Sequence, residues 1–128
     1  MNFRLTYATM FDPPEAMHER FESALARVTA ALGGQHGLFV GGADFSTATM
    51  APRPSPIDVE LVLGRFAVAD REHVERAMTA ARDAFPAWRA TSTAERARLV
   101  RRVGEIMEQR VYEIAAALAL EVGKNRME

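Results

Sequence analysis

The chain has 128 residues, enough for one domain of ordinary size. Its formal net charge is −1, so charge does not draw the chain as a whole towards nucleic acid or an anionic membrane. The sequence holds no cysteine, which excludes disulfides and a cysteine nucleophile within these residues, and no apolar run reaches the roughly 18 residues of a membrane span. These features fit a reducing compartment, and we expect a cytoplasmic location.

The chain begins with a mixed apolar tail that leads into a helix. Within residues 1–11, Phe3, Leu5 and Tyr7 alternate, which predicts a short extended segment lying on another surface. Asp12 is the predicted N-cap of the helix, prolines occupy its first turn, and a glycine pair ends it at residues 33–34. The apolar positions with helical spacing are Met17, Phe21, Ala24, Leu25, Val28 and Leu32.

Small strands are predicted in the next part of the sequence. Residues 38–45 have the pattern of a strand, a turn at Gly41-Gly42 and a second strand. Residues 46–56 hold three prolines and are predicted to be an extended connector without regular structure. Residues 59–68 predict one or two strands, with Gly64 as a bulge or turn.

A helix with an apolar stripe is predicted after the strands. Asp70 is its N-cap, and Pro86 is predicted to break it. Trp88 then lies in an aromatic corner and is interpreted as a packing wedge between two helices. On the solvated side, Glu72 is predicted to pair with Arg76 four residues later. The stripe consists of Val74, Ala77, Met78, Ala81, Ala84 and Phe85.

Two further helices complete the pattern. Residues 92–95 form a capping box, and a phase shift in the apolar positions near Gln109-Arg110 predicts a kink between the helices. Gly123 is the predicted terminator of the last helix, with Lys124 as a cation near the negative end of its dipole. The order helix, small strands, three helices predicts a mostly helical α/β chain, because a complete doubly wound sheet needs repeated β-α units.

The candidate chemical groups do not converge on a site. His18 and His73 are predicted on exposed helix positions and His36 in a loop, and no two of them have metal-ligand spacing. The glycine pairs 33–34 and 41–42 form neither a GxGxxG motif nor a P-loop and are interpreted as turns. We therefore name no catalytic, cofactor-binding or metal-binding residue in the chain.

Arginines crowd the middle helix of the last three, and a phosphate-binding face is one interpretation of them. Glutamates are interspersed among them and no aromatic residues alternate with them, which favours an ordinary solvated helix face and no nucleic-acid partner. The cluster comprises Arg89, Arg96, Arg98, Arg101 and Arg102.

Residues 59–125 resemble the N-terminal region of the aldehyde dehydrogenase superfamily. The shared pattern is a strand, an acidic cap, an Ala-rich helix with an aromatic-Pro-x-Trp end, a Ser/Thr-started helix and a Glu-x-Gly-Lys helix end. Here it is carried by Leu63-Gly64, Asp70, Ala77 to Ala84, Phe85-Pro86-Ala87-Trp88, Thr91 to Arg96, and Glu121-Val122-Gly123-Lys124. Val122 and Asn125 make the last motif similar to the branch that oxidises L-glutamate γ-semialdehyde, the 1-pyrroline-5-carboxylate dehydrogenases of proline catabolism.

The resemblance implies the fold of the opening helices and small strands of a Rossmann-type cofactor domain. Family members are several hundred residues long and carry the nucleophilic Cys, the general-base Glu and the NAD- or NADP-binding segments after this region. We therefore expect residues 1–128 to be the N-terminal portion of one such domain: a tail and helix over 1–37, small strands and a connector over 38–69, and three helices over 70–128.

Two functional hypotheses follow from the resemblance. In the first, the chain is a scaffold part of an NAD(P)-dependent dehydrogenase and is inactive alone. Its partner is then the remainder of its own enzyme, and the aldehyde substrate binds only to the full-length parent. In the second, it is a stand-alone helical module that forms a homo-oligomer or joins a full subunit through exposed helix faces.

Overall fold

The computed structural model describes residues 11–127, so the segment predicted at Phe3, Leu5 and Tyr7 lies outside the described residues. Four helices and five short strands follow the predicted order, which confirms the mostly helical α/β class. The elements are α1 Glu15–Ala30, β1 Gly34–His36, β2 Leu38–Val40, β3 Ala43–Phe45, β4 Met50–Pro54, β5 Val62–Ala67, α2 Arg71–Ala90, α3 Thr93–Gln109 and α4 Val111–Val122.

The core lies where α1 packs against α4. Ala24 and Ala116 are completely buried there, and Phe21 is 4% exposed. Alanine at the contact lets two helix backbones approach closely, and the neighbouring larger side chains then close around it. The half-buried side chains around this centre are Leu25, Val28, Tyr112, Ala115 and Ala119.

The start of α1 corrects the prediction of Asp12 as its cap. Pro14 is the N-cap, in an extended conformation, and no side chain caps the helix. The residue before a proline is disfavoured in the helical region, so Asp12 and Pro13 are both held outside the helix by the proline that follows each. At the other end, α1 stops at Ala30, and Gly33 (φ +83°) supplies the turn into β1.

The Pro-rich segment is a strand, which corrects the prediction of a connector without regular structure. β4 pairs antiparallel with β5, and β1 pairs parallel with the other side of β5, giving the order β1-β5-β4. β4 tolerates Pro52 and Pro54 because it lies at the sheet edge, where a missing N–H costs no ladder bond. The register shifts between Arg53 and Pro54, opposite Gly64 and Val62, which confirms an irregularity at Gly64.

Ser55, directly after β4, ties the sheet to the end of α4. Its side chain is buried, its Oγ donates to the Leu120 carbonyl oxygen at 2.6 Å, and the Ile57 N–H donates to the same Oγ at 3.3 Å. Leu120 lies in the last turn of α4, where carbonyls lack partners within the helix. A hydroxyl 65 positions away in sequence therefore satisfies this helix end.

Replacement of Ser55 by Ala tests this connection. The Ser55→Ala variant leaves the Leu120 carbonyl unpaired in a part-buried site, and we expect it to lower the free energy of unfolding by about 1–3 kcal/mol. Thr47→Ala is the matched control, because Thr47 Oγ1 also donates to a carbonyl, that of Thr49, but in an exposed position. Urea unfolding should show a change within about 0.5 kcal/mol for the control. Equal losses in both variants would contradict the role of Ser55.

β2 and β3 form the predicted hairpin. Gly41 (φ +61°) and Gly42 (φ +85°) occupy its two-residue turn, where both positions need a positive φ. Gly37, just before β2, is required for a different reason. A Cβ added there would lie 2.7 Å from the Phe45 carbonyl oxygen, a backbone atom that cannot move without distorting β3.

A single methyl group at Gly37 should therefore strain the hairpin. We expect Gly37→Ala to destabilise the chain by about 1–3 kcal/mol through forced backbone movement. Gly104→Ala is the control: this helical glycine has no atom within 4 Å of an added Cβ, and the change should stabilise α3 by about 0.5–1 kcal/mol. Thermal unfolding of both variants provides the measurement, and a shift of the same sign in both would exclude the clash.

The bounds of the last three helices differ from the prediction at one point. Asp70 and Ser92 cap α2 and α3 as predicted, a break at Arg110 separates α3 from α4, and Gly123 (φ +72°) ends α4. Of the capping box predicted at residues 92–95, the structure shows the bond from the Glu95 N–H to the Ser92 side chain. Pro86, however, lies inside α2, which continues to Ala90. A proline removes only one helix hydrogen bond, and the final turn is still closed by the Thr91 N–H and hydroxyl, both of which donate to the Ala87 carbonyl.

Candidate functional site

The three histidines occupy separate places. His18 is half-buried on α1, not solvated as predicted, with its Nδ1 3.2 Å from Arg126 Nη1. His36 lies in β1, not in a loop, and its ring stacks on Phe66 with centroids 4.8 Å apart. Residues 11–127 hold no group of three or more His, Cys, Asp or Glu side chains arranged to bind a metal ion.

His73 takes part in capping α2. Its backbone N–H donates to Asp70 Oδ1 at 3.0 Å, its Nδ1 lies 2.6 Å from the same oxygen, and the Asp70 N–H completes a capping box with the ring. Hydrogen bonds from the His73 backbone and then from its side chain hold the pKa of Asp70 below the ordinary value of 3.8. His73 is thus a structural residue of the helix start.

This capping box predicts an acid-sensitive helix start. Because the folded-state pKa of Asp70 is depressed, its stabilisation is present above the unfolded-state pKa and is lost as the pH falls below about 3.8. Chemical shifts of residues 71–74 should therefore move towards unfolded values in acid. In Asp70→Asn, which keeps an acceptor without titrating, this pH dependence should disappear. The start of α3 is the internal control, since Ser92 does not titrate; equal fraying of both starts would contradict the assignment.

Three of the five clustered arginines make local contacts. Arg102 lies 3.0 Å from Glu105, Arg98 lies 3.6 Å from Glu95, and the Arg96 guanidinium lies over the Trp88 ring at 5.9 Å. Such exposed pairs contribute little to stability. They support the interpretation of a solvated helix face over a phosphate-binding one.

Arg76 and Trp88 both differ from the prediction. The Arg76 guanidinium lies 4.5 Å over the Phe45 ring and links α2 to the hairpin; it does not pair with Glu72. Trp88 is 47% exposed, so the described residues do not enclose it as a wedge between helices. Half of its indole surface is open to a further partner.

An uncovered apolar surface lies on α2 and α3. Neither helix has a buried residue. On α2 the exposed side chains recur at helical spacing, as expected for a face that packs on something. We call them the α2 stripe, Val74, Met78 and Phe85, and the α3 stripe, Leu99, Val103 and Ile106; all six are 39–57% exposed.

The glycine turns of the described residues differ from the phosphate-binding turn of a dinucleotide fold. A dinucleotide phosphate site needs a Gly-rich turn from a strand into a helix N-terminus. Gly41 and Gly42 instead join two antiparallel strands, and Gly33 joins the end of α1 to β1. Separately, none of the helices in residues 11–127 combines the length and hydrophobicity needed to cross a membrane.

Residues 44–128 match the model of the aldehyde dehydrogenase family, so the chain belongs to that family. It is similar to 1-pyrroline-5-carboxylate dehydrogenase 2 of Bacillus subtilis, with 39% identity over 106 residues, which cover 83% of this chain and 21% of that protein. With 1-pyrroline-5-carboxylate dehydrogenase of Geobacillus thermodenitrificans it shares 36% identity over 110 residues, covering 86% and 21%. The resemblance seen in the sequence is confirmed.

A solved structure has the same fold over almost the whole chain. The 1-pyrroline-5-carboxylate dehydrogenase from Thermus with bound NAD superimposes with a TM-score of 0.89 at 28% identity, covering 99% of this chain and 24% of that one. The chain spans about a fifth of the length of the curated relatives it matches. The exposed stripes of α2 and α3 therefore belong to a fold that, in these relatives, is part of a much longer chain.

The sequence predicted the apolar stripe of α2 but not its exposure. Periodicity identifies an apolar side of a helix, and it does not say which surface covers that side. The sequence also did not predict the contacts of Ser55 with Leu120 and of Arg126 with Glu22, because the partners lie more than 60 positions apart.

Proposed function

We propose that this chain is the N-terminal scaffold of an NAD- or NADP-dependent aldehyde dehydrogenase that oxidises L-glutamate γ-semialdehyde/1-pyrroline-5-carboxylate to glutamate in proline catabolism. In this role residues 1–128 act as one unit, with their partner being the remainder of the same enzyme. The α2 and α3 stripes would pack on the rest of the cofactor domain, while the chemistry takes place on residues outside this region.

The observation that carries the proposal is the pair of exposed stripes in a chain whose fold matches a segment of longer enzymes. Isolated soluble domains rarely expose contiguous apolar surface of this kind. A covering surface supplied by the rest of a dehydrogenase explains why α2 and α3 keep helical apolar periodicity without burying a single residue. The substrate and the cofactor come from the named relatives, one of which is solved with NAD.

The chain alone should not catalyse the reaction. With L-glutamate γ-semialdehyde and either NAD⁺ or NADP⁺, we expect residues 1–128 to give no absorbance increase at 340 nm, because thiohemiacetal formation needs a cysteine that the chain lacks. The Bacillus subtilis relative is the positive control under the same conditions. Steady production of reduced cofactor by residues 1–128 would overturn the proposal.

A chimera tests the scaffold role directly. Residues 1–128 replace the matching segment of the Thermus enzyme, and the chimera should oxidise the semialdehyde. Adding Met78→Asp places a carboxylate on the α2 stripe, where burial without a partner costs several kcal/mol, and should abolish activity and soluble yield. Thr79→Asp adds the same charge one residue away, outside the stripe, and should leave both unchanged. Equal activity in the two variants would exclude packing through this stripe.

A second candidate function is a stand-alone association module, which the same exposed stripes favour. Multi-angle light scattering separates the two functions. A discrete symmetric oligomer of residues 1–128 that dissociates in the Met78→Asp variant would support the association module. A monomer or a polydisperse aggregate, together with an active chimera, would support the scaffold.

A further inference from the structure

Arg126, which follows α4, is held by three side chains of α1. Its Nη1 lies 3.2 Å from His18 Nδ1, its Nη2 donates to a Glu22 carboxylate oxygen, and its guanidinium lies 4.8 Å over the Phe21 ring. The Phe21 residue is 4% exposed and the Arg126 side chain is 32% exposed. Arg126 therefore fastens residues 124–127, which we call the 124–127 segment, to the side of α1.

The hydrogen bond between Arg126 and His18 requires a neutral imidazole. A guanidinium has five N–H donors and no acceptor, and it stays charged in proteins. His18 Nδ1 is therefore the acceptor, with the proton of the ring on Nε2. Protonation of Nδ1 would remove this acceptor and place a second positive charge 3.2 Å from Arg126 Nη1. Because both side chains are partly buried, water screens this repulsion less than it would on an open surface.

Glu22 can pair with either cation. It lies four positions after His18 on α1, a spacing at which the side chains of a helix meet. While His18 is neutral, the Glu22 carboxylate accepts from Arg126. Once His18 is protonated, the same carboxylate has a positive partner on its own helix. The three side chains therefore have two arrangements, one for each protonation state of the imidazole.

We propose that His18 is a pH-sensitive switch that releases the 124–127 segment from α1 when its ring is protonated. The segment is held at higher pH and released as the pH falls through the range, near about 6.5, in which histidines ordinarily titrate. This direction follows because the held form binds one proton fewer than the released form. The inference does not rest on the proposed enzymatic function.

Within residues 11–127, the other charged groups near the imidazole keep this direction. On α1, Glu15 and Glu22 lie three and four positions from it, and their carboxylates favour the protonated ring. The 124–127 segment contributes Lys124 and Arg126, two cations that oppose protonation. From α4, the titratable side chain in the cavity that Arg126 lines is Tyr112, and phenols titrate near about pH 10. Release of the segment removes the opposing cations, so protonation and release are coupled.

The sequence offers a direct probe of release, because Lys124 is its one lysine. A lysine-specific endoprotease therefore cuts the 128-residue chain once, after Lys124, and reaches this bond more readily when the segment is released. Cleavage rates are measured at about pH 5.5 and about pH 8, on either side of ordinary histidine titration. Each rate is divided by that of a peptide of residues 120–128 at the same pH. We expect the normalised rate to be about tenfold higher at the lower pH, since cleavage follows the population of the open form.

Two variants identify the titrating group. His18→Gln does not titrate but keeps an oxygen that can accept from Arg126, so its two normalised rates should agree. His36→Gln is the matched control, because it removes a histidine of β1 whose ring stacks on Phe66, and it should keep the rise in acid. Circular dichroism checks that both variants retain the helix content of the original chain. No rise in the original chain, or an undiminished rise in His18→Gln, would refute the switch.

A measurement on the unsubstituted chain covers the case of a variant that fails to fold. In NMR spectra across the same pH range, the Met127 methyl signal and the His18 ring signals should shift with a common midpoint, because one proton controls both. The Met107 methyl signal on α3 is the internal control and should stay in place. A Met127 signal that does not move, or that moves with another midpoint, would rule out the proposed coupling.

Discussion

Close packing of α1 on α4 is the interaction on which the rest of this structure depends. Ala24 and Ala116 are completely buried at the contact, and any larger side chain at either position would push the helices apart, at about 1–3 kcal/mol for overpacking. α1 and α4 are separated in sequence by the five strands and two other helices. The contact therefore joins the first and last helices of the described chain. The hydrogen bond from Ser55 to Leu120 attaches the small sheet to α4.

The contact between α1 and α4 leaves many apolar side chains of the other elements exposed. A chain of about 150 residues ordinarily buries some 70% of its unfolded surface. Here the buried hydrophobic side chains among residues 11–127 are Met17, Phe21, Ala24 and Ala116, all at or near the α1–α4 contact. Helices α2 and α3 are well formed, with good caps, yet they bury nothing. Local sequence thus determines these helices, and under the proposed function the remainder of the enzyme would cover their apolar sides.

Local signals were sufficient where a residue acts within its own turn. Asp70 and Ser92 as caps, Gly41-Gly42 as a hairpin turn and Gly123 as a terminator are confirmed, because each depends on one to four neighbouring residues. The errors arise where distant partners decide. β4 is a strand because it pairs with β5 although it contains two prolines. Asp12 does not cap α1 because two prolines follow it.

The same distinction explains why the family was recognisable and the site was not. A motif such as Glu121-Val122-Gly123-Lys124 is a local helix end, and it remains recognisable in a chain that spans a fifth of its relatives. A functional site, in contrast, is defined by the geometry of residues that are distant in sequence, which a local motif does not reveal. Under the proposed function, the exposed Val74, Met78 and Phe85 are where the rest of the enzyme would contact this chain. For a chain with that role the uncovered side is the informative feature, because the contacts with the remainder of the enzyme would form there.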